Sequence, residues 1–180
     1  FGRGSQNIYK VTMVDALISI TDYLETIRIP YIVQEYIEGD EYTVGVVSNR
    51  YSDNFISLVL QRTLSSGATS YAKVMKYGFI NEFCEFVAKE LNSIGPLNIQ
   101  LRVDKNEHPI IFEINPRFSG SAPMRALAGF NEVDMVLQNF LYGKEITMPY
   151  VSIGSQFYRT YQEIQIEPNS ELGKVTQCLY

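Results

Sequence analysis

Along residues 13–27 the apolar side chains Met13, Leu17, Ile20, Leu24 and Ile27 recur three or four positions apart, the spacing that lines one face of a helix. Thr12, with Asp15 three residues on, has the form of a capping box at its start. The period then changes. Beyond Pro30, residues 31–37 predict a β-strand, Glu38-Gly39-Asp40 a turn and residues 41–48 a second strand. Asn49-Arg50 reverses the chain, residues 54–62 form a further strand, and residues 64–69, with Ser65-Ser66-Gly67, read as a mobile loop. Asn81 is placed to cap a helix whose Phe83, Phe86, Val87, Leu91 and Ile94 repeat at helical spacing until Gly95-Pro96 closes it.

The next stretch is the most regular. Leu97, Ile99, Leu101 and Val103 alternate with Asn98, Gln100, Arg102 and Asp104, so the two sets point to opposite faces of a strand. Ile110, Phe112 and Ile114 alternate in the same way with Glu113 and Asn115, and the polar Lys105-Asn106-Glu107-His108 between the two runs predicts an antiparallel hairpin. If Asp104 pairs with Pro109, then Gln100 faces Glu113 and Asn98 faces Asn115. A slip of one residue would place Glu113 among Leu and Ile, which the cost of burying a charge opposes. Residues 118–121 read as a loop, and a helix runs from about Asn131 to Tyr142 with Gly143 just past its end. Residues 155–166 read as a last strand, and no internal repeat or low-complexity segment is visible.

Composition narrows the function classes. The chain has 180 residues, 46% of them hydrophobic and 13% aromatic, enough for a buried core without disulfides or a structural metal. Its formal net charge of −5 argues against binding the phosphates of long nucleic acid, which calls for clustered Lys and Arg, but leaves room for one small anionic ligand. Cys84 and Cys178 form no C-x-x-C pair, and His108 is the one histidine, so a zinc site is not expected. Cys84 reads as a buried apolar thiol in a reducing cytoplasmic setting. The longest apolar run, residues 55–60 interrupted by Ser57, is far short of a membrane span. The chain opens at Phe1 on a glycine loop, which reads as a piece of a longer protein.

One face of the predicted hairpin offers Gln100, Glu113 and Asn115, three oxygen-bearing side chains within reach of a common point. Such a set suits Mg²⁺, a hard cation that is held by one or two carboxylates, by water and by nucleotide phosphates. The plain alternative is a half-wet hairpin with a polar outer face. Arg117 is either a surface cation or a guanidinium that neutralises charge beside a metal-bound phosphate chain. Phe1-Gly2-Arg3-Gly4-Ser5 is either a turn or a loop whose N–H groups cradle phosphates, and it lacks the G-K-[ST] ending of a P-loop.

Three strings, in order, carry a resemblance. Residues 112–120, Phe-Glu-Ile-Asn-Pro-Arg-Phe-Ser-Gly, after Gly95-Pro96-Leu97-Asn98-Ile99-Gln100, resemble the metal-binding hairpin of the ATP-grasp superfamily. Gln34-Glu35-Tyr36-Ile37-Glu38-Gly39-Asp40-Glu41-Tyr42 resembles its nucleotide hinge, and Gly2-Arg3-Gly4-Ser5 its phosphate-covering loop. Within the superfamily the chain is most similar to proteins like the carbamoyl-phosphate synthase large chain.

The resemblance implies an α+β fold, a partial ATP-grasp fold with a mostly antiparallel sheet and flanking helices. Residues 1–36 would end the small lobe, and residues 37–180 would form the large catalytic lobe. It implies that Glu113 and Asn115 bind Mg²⁺ (or Mn²⁺), with Glu113 bridging two ions and Gln100 as a further ligand. Arg3, Gly4 and Ser5 would cover the phosphates of ATP. Glu35 and the backbone of Tyr36 and Ile37 would meet the adenine edge, and Glu41 would accept from the ribose hydroxyls. Arg117 would contact the transferred phosphoryl group, while Arg62, Ser119, Ser121 and Arg125 are candidates for holding a carboxylate substrate or acyl phosphate. For the hinge the alternative is a charged turn at residues 38–41, and for the last four residues it is loop and surface roles.

The family's common step implies attack of a carboxylate on the γ-phosphate of ATP, then of an amine, ammonia or thiol on the acyl phosphate. Positioning and charge neutralisation suffice, so no Ser-His or Cys-His unit is needed. The implied partners are small-molecule carboxylate and amine or ammonia substrates and an N-terminal domain of the same protein, with no nucleic acid and no membrane. In relatives a strand with a phosphate-binding Lys or Arg precedes the glycine loop; this chain lacks it. A non-catalytic nucleotide-binding or interaction module of the same fold is the alternative function, and an unrelated α+β domain with a coincidental hairpin is a third reading.

Overall fold

The structure is a computed structural model that describes residues 8–51 and 53–160. Its framework is a six-stranded sheet. Strands β1 (Asp40–Ser48), β2 (Phe55–Ser65), β3 (Ala68–Val74), β4 (Gly95–Val103), β5 (Pro109–Asn115) and β6 (Gln156–Tyr158) lie in the order β5-β4-β1-β2-β3-β6. Every neighbouring pair is antiparallel. β1 is buried continuously from Tyr42 to Ser48 instead of alternating, because helices cover both faces of the sheet at its centre. Among the described residues four helices accompany it: α1 (Val14–Thr26), α2 (Phe79–Glu90), α3 (Ala122–Leu127) and α4 (Glu132–Tyr142).

On one face Tyr42, Val44, Val46, Val59, Leu97, Ile99 and Leu101 meet Ile80, Cys84 and Ala88 of α2. Burial there pushes the Cys84 thiol up to about 12, which suits an inert packing residue. The opposite face buries Val47, Leu58, Leu60, Ala72 and Val74 beneath Met124, Ala128, Phe130 and Val136. That second apolar cover ends partway along the sheet, and the uncovered part is polar. No helix among the described residues is long and apolar enough to cross a membrane.

The α4 assignment and the two-strand hairpin follow the pattern of the sequence. Asn131 caps α4 by accepting from the Asp134 N–H, and Gly143 follows it at φ 67°. Elsewhere the structure corrects the pattern. Met13, not Thr12, is the N-cap of α1 and no side chain closes a capping bond there. Residues 31–37 form no strand, because among the described residues no second backbone takes up their hydrogen bonds. The N-cap of α2 is Gly78; Asn81 is the third helical residue and reaches back to accept from the Gly78 N–H at 3.2 Å. Its helix stops at Glu90, and Gly95-Pro96 opens β4 instead of ending α2. The expected mobile loop after Leu64 is a two-residue turn, Ser66 and Gly67 at φ 50° and 75°, that joins β2 to an unforeseen strand, β3. The short α3 was also hidden, and the last strand is only three residues long; residues 161–166 of the expected strand lie outside the described residues.

The register holds where the candidate metal residues stand, with Gln100 opposite Glu113 and Asn98 opposite Asn115. It shifts by one between Gln100 and Leu101, so Val103, not Asp104, faces Pro109. Asp104 instead organises the turn, its Oδ1 accepting from the N–H groups of Asn106 and His108 at 2.9 and 2.8 Å. Phe112 is the extra residue of the resulting bulge. Ile111 therefore joins the α2-side core in place of Phe112, which stays exposed with Ile114.

Candidate active site

Residues two apart on a strand share a face, and neighbouring strands align them into rows. On the polar part of the sheet Glu41 of β1 stands opposite Arg102 of β4, Thr43 opposite Gln100, and Gly45 opposite Asn98. Glu113 and Asn115 of β5 extend the last two rows. The sheet itself therefore sets the spacing of these groups.

Three predicted residues are joined directly. Glu41 Oε1 accepts from Arg62 Nε and Nη2 at 3.1 and 2.8 Å, and the same Nη2 donates to Gln100 Oε1 at 2.6 Å. Glu41 Oε2 accepts from Arg102 Nη2 at 2.9 Å. Arg102 Nη1 donates to the Ile37 carbonyl at 2.9 Å, and its guanidinium lies 4.8 Å from the centre of the Tyr36 ring, over which Lys10 Nζ also stands at 3.5 Å. The neighbouring cations, Arg102 foremost and Lys10 after it, hold the Tyr36 phenol below its usual value. Glu35, Tyr36 and Ile37 belong to an irregular segment, with Glu35 and Tyr36 exposed.

Glu113 is exposed, and its Oε1 accepts from Asn115 Nδ2 at 2.6 Å. Beside them Asn98 is buried; its Oδ1 accepts from Thr43 Oγ1 at 2.9 Å, and its Nδ2 has no acceptor. The donor set here is all oxygen with one carboxylate, and no group of three or more His, Cys, Asp or Glu that could hold a metal occurs among the described residues. That set fits Mg²⁺ bound jointly with ligand phosphates better than an all-protein cage.

The loop after β5 makes a second cluster. Arg117 is exposed, its Nη1 donating to the Phe118 carbonyl at 3.0 Å. Ser119 Oγ accepts from the Ser121 N–H at 3.1 Å and from Arg125 Nη2 at 2.8 Å, and Ser121 Oγ pairs with Thr69 Oγ1 at 2.9 Å. Arg125 is fully buried and closed on Glu132, with Nε to Oε2 at 3.0 Å and Nη2 to Oε1 at 2.8 Å, while Nη1 has no acceptor. Gly45 lies beneath this pair: a Cβ there would stand 2.3 Å from Glu132 Oε2 and 2.5 Å from Arg125 Nε.

The four candidates for a substrate carboxylate thus divide, Arg62 with the Glu41 row and Ser119, Ser121 and Arg125 with the loop. Arg3, Gly4 and Ser5 lie outside the described residues. The sequence reading missed the roles of Arg102, Glu132, Gly45 and Arg159, whose Nη2 donates to the Gly120 carbonyl. Arg102 was recoverable, since it shares the face of Gln100 two residues on; the others arrive from distant segments and left no local signal. Arg62 and Arg102 are paired with Glu41 and Arg125 with Glu132, while Arg117 is exposed and bonded to a backbone carbonyl, which leaves its charge available to an anion.

Comparison with known proteins places the fold. The model of the family described as ATP-grasp in the biosynthetic pathway with Ter operon matches residues 28–160. An uncharacterized protein of Methanocaldococcus jannaschii is 26% identical over 128 residues, covering 69% of this chain and 32% of its own length. The carbamoyl phosphate synthase large chain of Saccharolobus islandicus is 28% identical over 143 residues, covering 73% of this chain and 13% of its own. The chain therefore spans about a third or less of these relatives. Two solved structures share the fold: L-amino acid ligase from Bacillus licheniformis (TM-score 0.58, 19% identity, 78% of this chain and 38% of that one) and N5-carboxyaminoimidazole synthetase from Staphylococcus aureus with ADP (TM-score 0.59, 16% identity, 76% and 38%).

Proposed function

This chain belongs to the ATP-grasp family of the biosynthetic pathway with Ter operon, and from that membership we propose that it is the large catalytic lobe of an ATP- and Mg²⁺-dependent carboxylate ligase, with residues 1–36 ending the small lobe. The observation that carries the reading is the alignment of Gln100, Glu113 and Asn115 across β4 and β5, on the same sheet face as Glu41 and Arg62. A carbamoyl-phosphate synthase-like activity is the finer form of the proposal, supported by the similarity to that enzyme's large chain.

Mg²⁺, or Mn²⁺, would be held by Glu113, Asn115 and Gln100 and would draw charge from the phosphates of ATP. Glu35, Tyr36, Ile37 and Glu41 take the nucleoside end, and Arg3, Gly4 and Ser5 cover the phosphates. A carboxylate oxygen of the substrate forms a bond to the γ-phosphorus while the bond from that phosphorus to the bridging oxygen breaks, and ADP leaves. Arg117, exposed at the end of the hairpin, neutralises the charge that builds on the transferring group. An amine or ammonia then attacks the acyl carbon and phosphate leaves. Ser119 and Ser121 orient the acid, Arg62 holds Glu41 and Gln100 in place, and Arg125 and Glu132 anchor the loop that carries both serines. The substrates are small molecules, and the preceding domain of the same protein would complete their pocket.

Calorimetric titration of the full-length protein with ADP and ATP, with and without Mg²⁺, tests the reading. Binding strengthened by Mg²⁺, with that gain lost in Glu113→Gln, is the expected result. Nucleotide binding indifferent to both Mg²⁺ and Glu113 would overturn it. ADP release upon adding carboxylates separates a ligase from a binding module.

A further inference from the structure

Arg102 ties three parts of the site together. Its Nη1 holds the Ile37 carbonyl, its Nη2 holds Glu41 Oε2, and its guanidinium carbon lies over the Tyr36 ring, 4.8 Å from the centroid. Hinge and carboxylate lie on different elements, one in an irregular segment and the other on β1, and this guanidinium spans them. Its planar fork is what allows one side chain to serve two acceptors and an aromatic face at once; an ammonium is a compact point charge and has no such fork.

We propose that Arg102 is the positioning residue of the nucleotide site, fixing the hinge and Glu41 as one unit and leaving Glu41 able to recognise a single ribose hydroxyl. The assignment rests on the nucleotide reading above. A carboxylate offers about four acceptor positions, two on each oxygen. Both positions on Glu41 Oε1 are filled by Arg62 Nε and Nη2, and one on Oε2 is filled by Arg102 Nη2. Among the described residues one position remains, on Oε2, and Arg102 sets the direction in which it points. With Arg102 removed, Oε2 loses its one donor among the described residues, and the carboxylate can turn about its bond to Arg62.

The test titrates ADP, 2′-deoxy-ADP and 3′-deoxy-ADP into full-length wild type, Arg102→Leu and Arg102→Lys. A hydrogen bond to a charged acceptor sets the scale, so wild type is expected to bind one deoxynucleotide roughly ten- to a hundredfold more weakly than the other. In Arg102→Leu the two deoxynucleotides are expected to bind alike. Arg102→Lys keeps a cation for Glu41 but cannot also reach Ile37, and should fall between. The ratio of the two affinities is unmoved by a uniform loss of stability. If Arg102→Leu does not fold, the lysine variant decides by the same ratio. A wild-type ratio retained in the variant that folds overturns the proposal, as does a wild type that treats both deoxynucleotides alike. A wild type that binds no ADP overturns the nucleotide reading itself, a separate failure.

Discussion

Adding one methyl group at Gly45 should unsettle the loop that carries Ser119 and Ser121. Gly45 sits mid-strand in β1, where alanine is itself acceptable to the backbone and would return about 0.5–1 kcal/mol of chain entropy. The methyl carbon, however, would stand 2.3 Å from Glu132 Oε2, 2.5 Å from Arg125 Nε and 2.7 Å from Arg125 Cζ, all closer than contact permits. Neither partner is a loose chain end, for Arg125 is 0% and Glu132 2% exposed. Overpacking alone costs about 1–3 kcal/mol, and separating a buried ion pair about 3–5 kcal/mol. Taking the middle of each range and subtracting the backbone gain, the net loss is about 1 kcal/mol if the pair only shifts and about 3 kcal/mol if it opens. For a domain of this size each kcal/mol lowers Tm by about 2–4 °C, so a fall of roughly 2–12 °C is expected for Gly45→Ala in thermal unfolding followed by circular dichroism. The same substitution in an Arg125→Met, Glu132→Met background should cost much less, since no pair remains to be displaced. A Gly45→Ala protein as stable as wild type, or an equal loss in both backgrounds, would refute the reasoning.

Two other consequences are open to direct measurement. Arg117→Ala should lower the rate of ADP formation by about 10³–10⁵ while leaving ADP affinity within a small factor, because the side chain is exposed and, among the described residues, donates to the Phe118 carbonyl alone; an unchanged rate would remove it from the chemistry. Burial raises Glu85 above the usual carboxylate range, against the Ser57 and Tyr77 hydroxyls that donate to it at 2.7 and 3.0 Å. A raised folded value means that its contribution to stability is full below the unfolded value near about 4.3 and is lost as pH rises through the folded value. Glu85→Gln should flatten that part of the pH profile of the urea midpoint, and an unchanged profile would show that Glu85 does not titrate abnormally.

What could be read from the sequence was what lay close together in it. Alternation placed Gln100 opposite Glu113 and Asn98 opposite Asn115, because one charged residue admits only one face. The same logic failed four residues further on: Asp104 satisfied two turn N–H groups and pulled the register over by one, a backbone preference that no hydrophobic pattern records. Ser66-Gly67 looked like a loop since turn residues announce a reversal without saying how tight it is. Arg125 reads from the sequence as a candidate for holding a carboxylate substrate or acyl phosphate, or else as a loop cation. Its burial depends on Glu132 from α4 and on the missing side chain of Gly45, some 80 residues earlier by position, and only the fold brings these together. Arg3, Gly4 and Ser5 rest on the resemblance alone.

The bulge at Phe112 has a bearing on solubility. Among the described residues β5 pairs on one side only, so its outer backbone groups form the kind of open ladder onto which another chain can add a strand. Phe112 and Ile114, both exposed there, would favour such an addition. An extra residue in mid-strand interrupts the regular spacing of the free N–H and C=O groups and twists the strand away from a flat partner. The irregularity that sends Ile111 into the core therefore also makes the strand bearing Glu113 and Asn115 a poor template for aggregation.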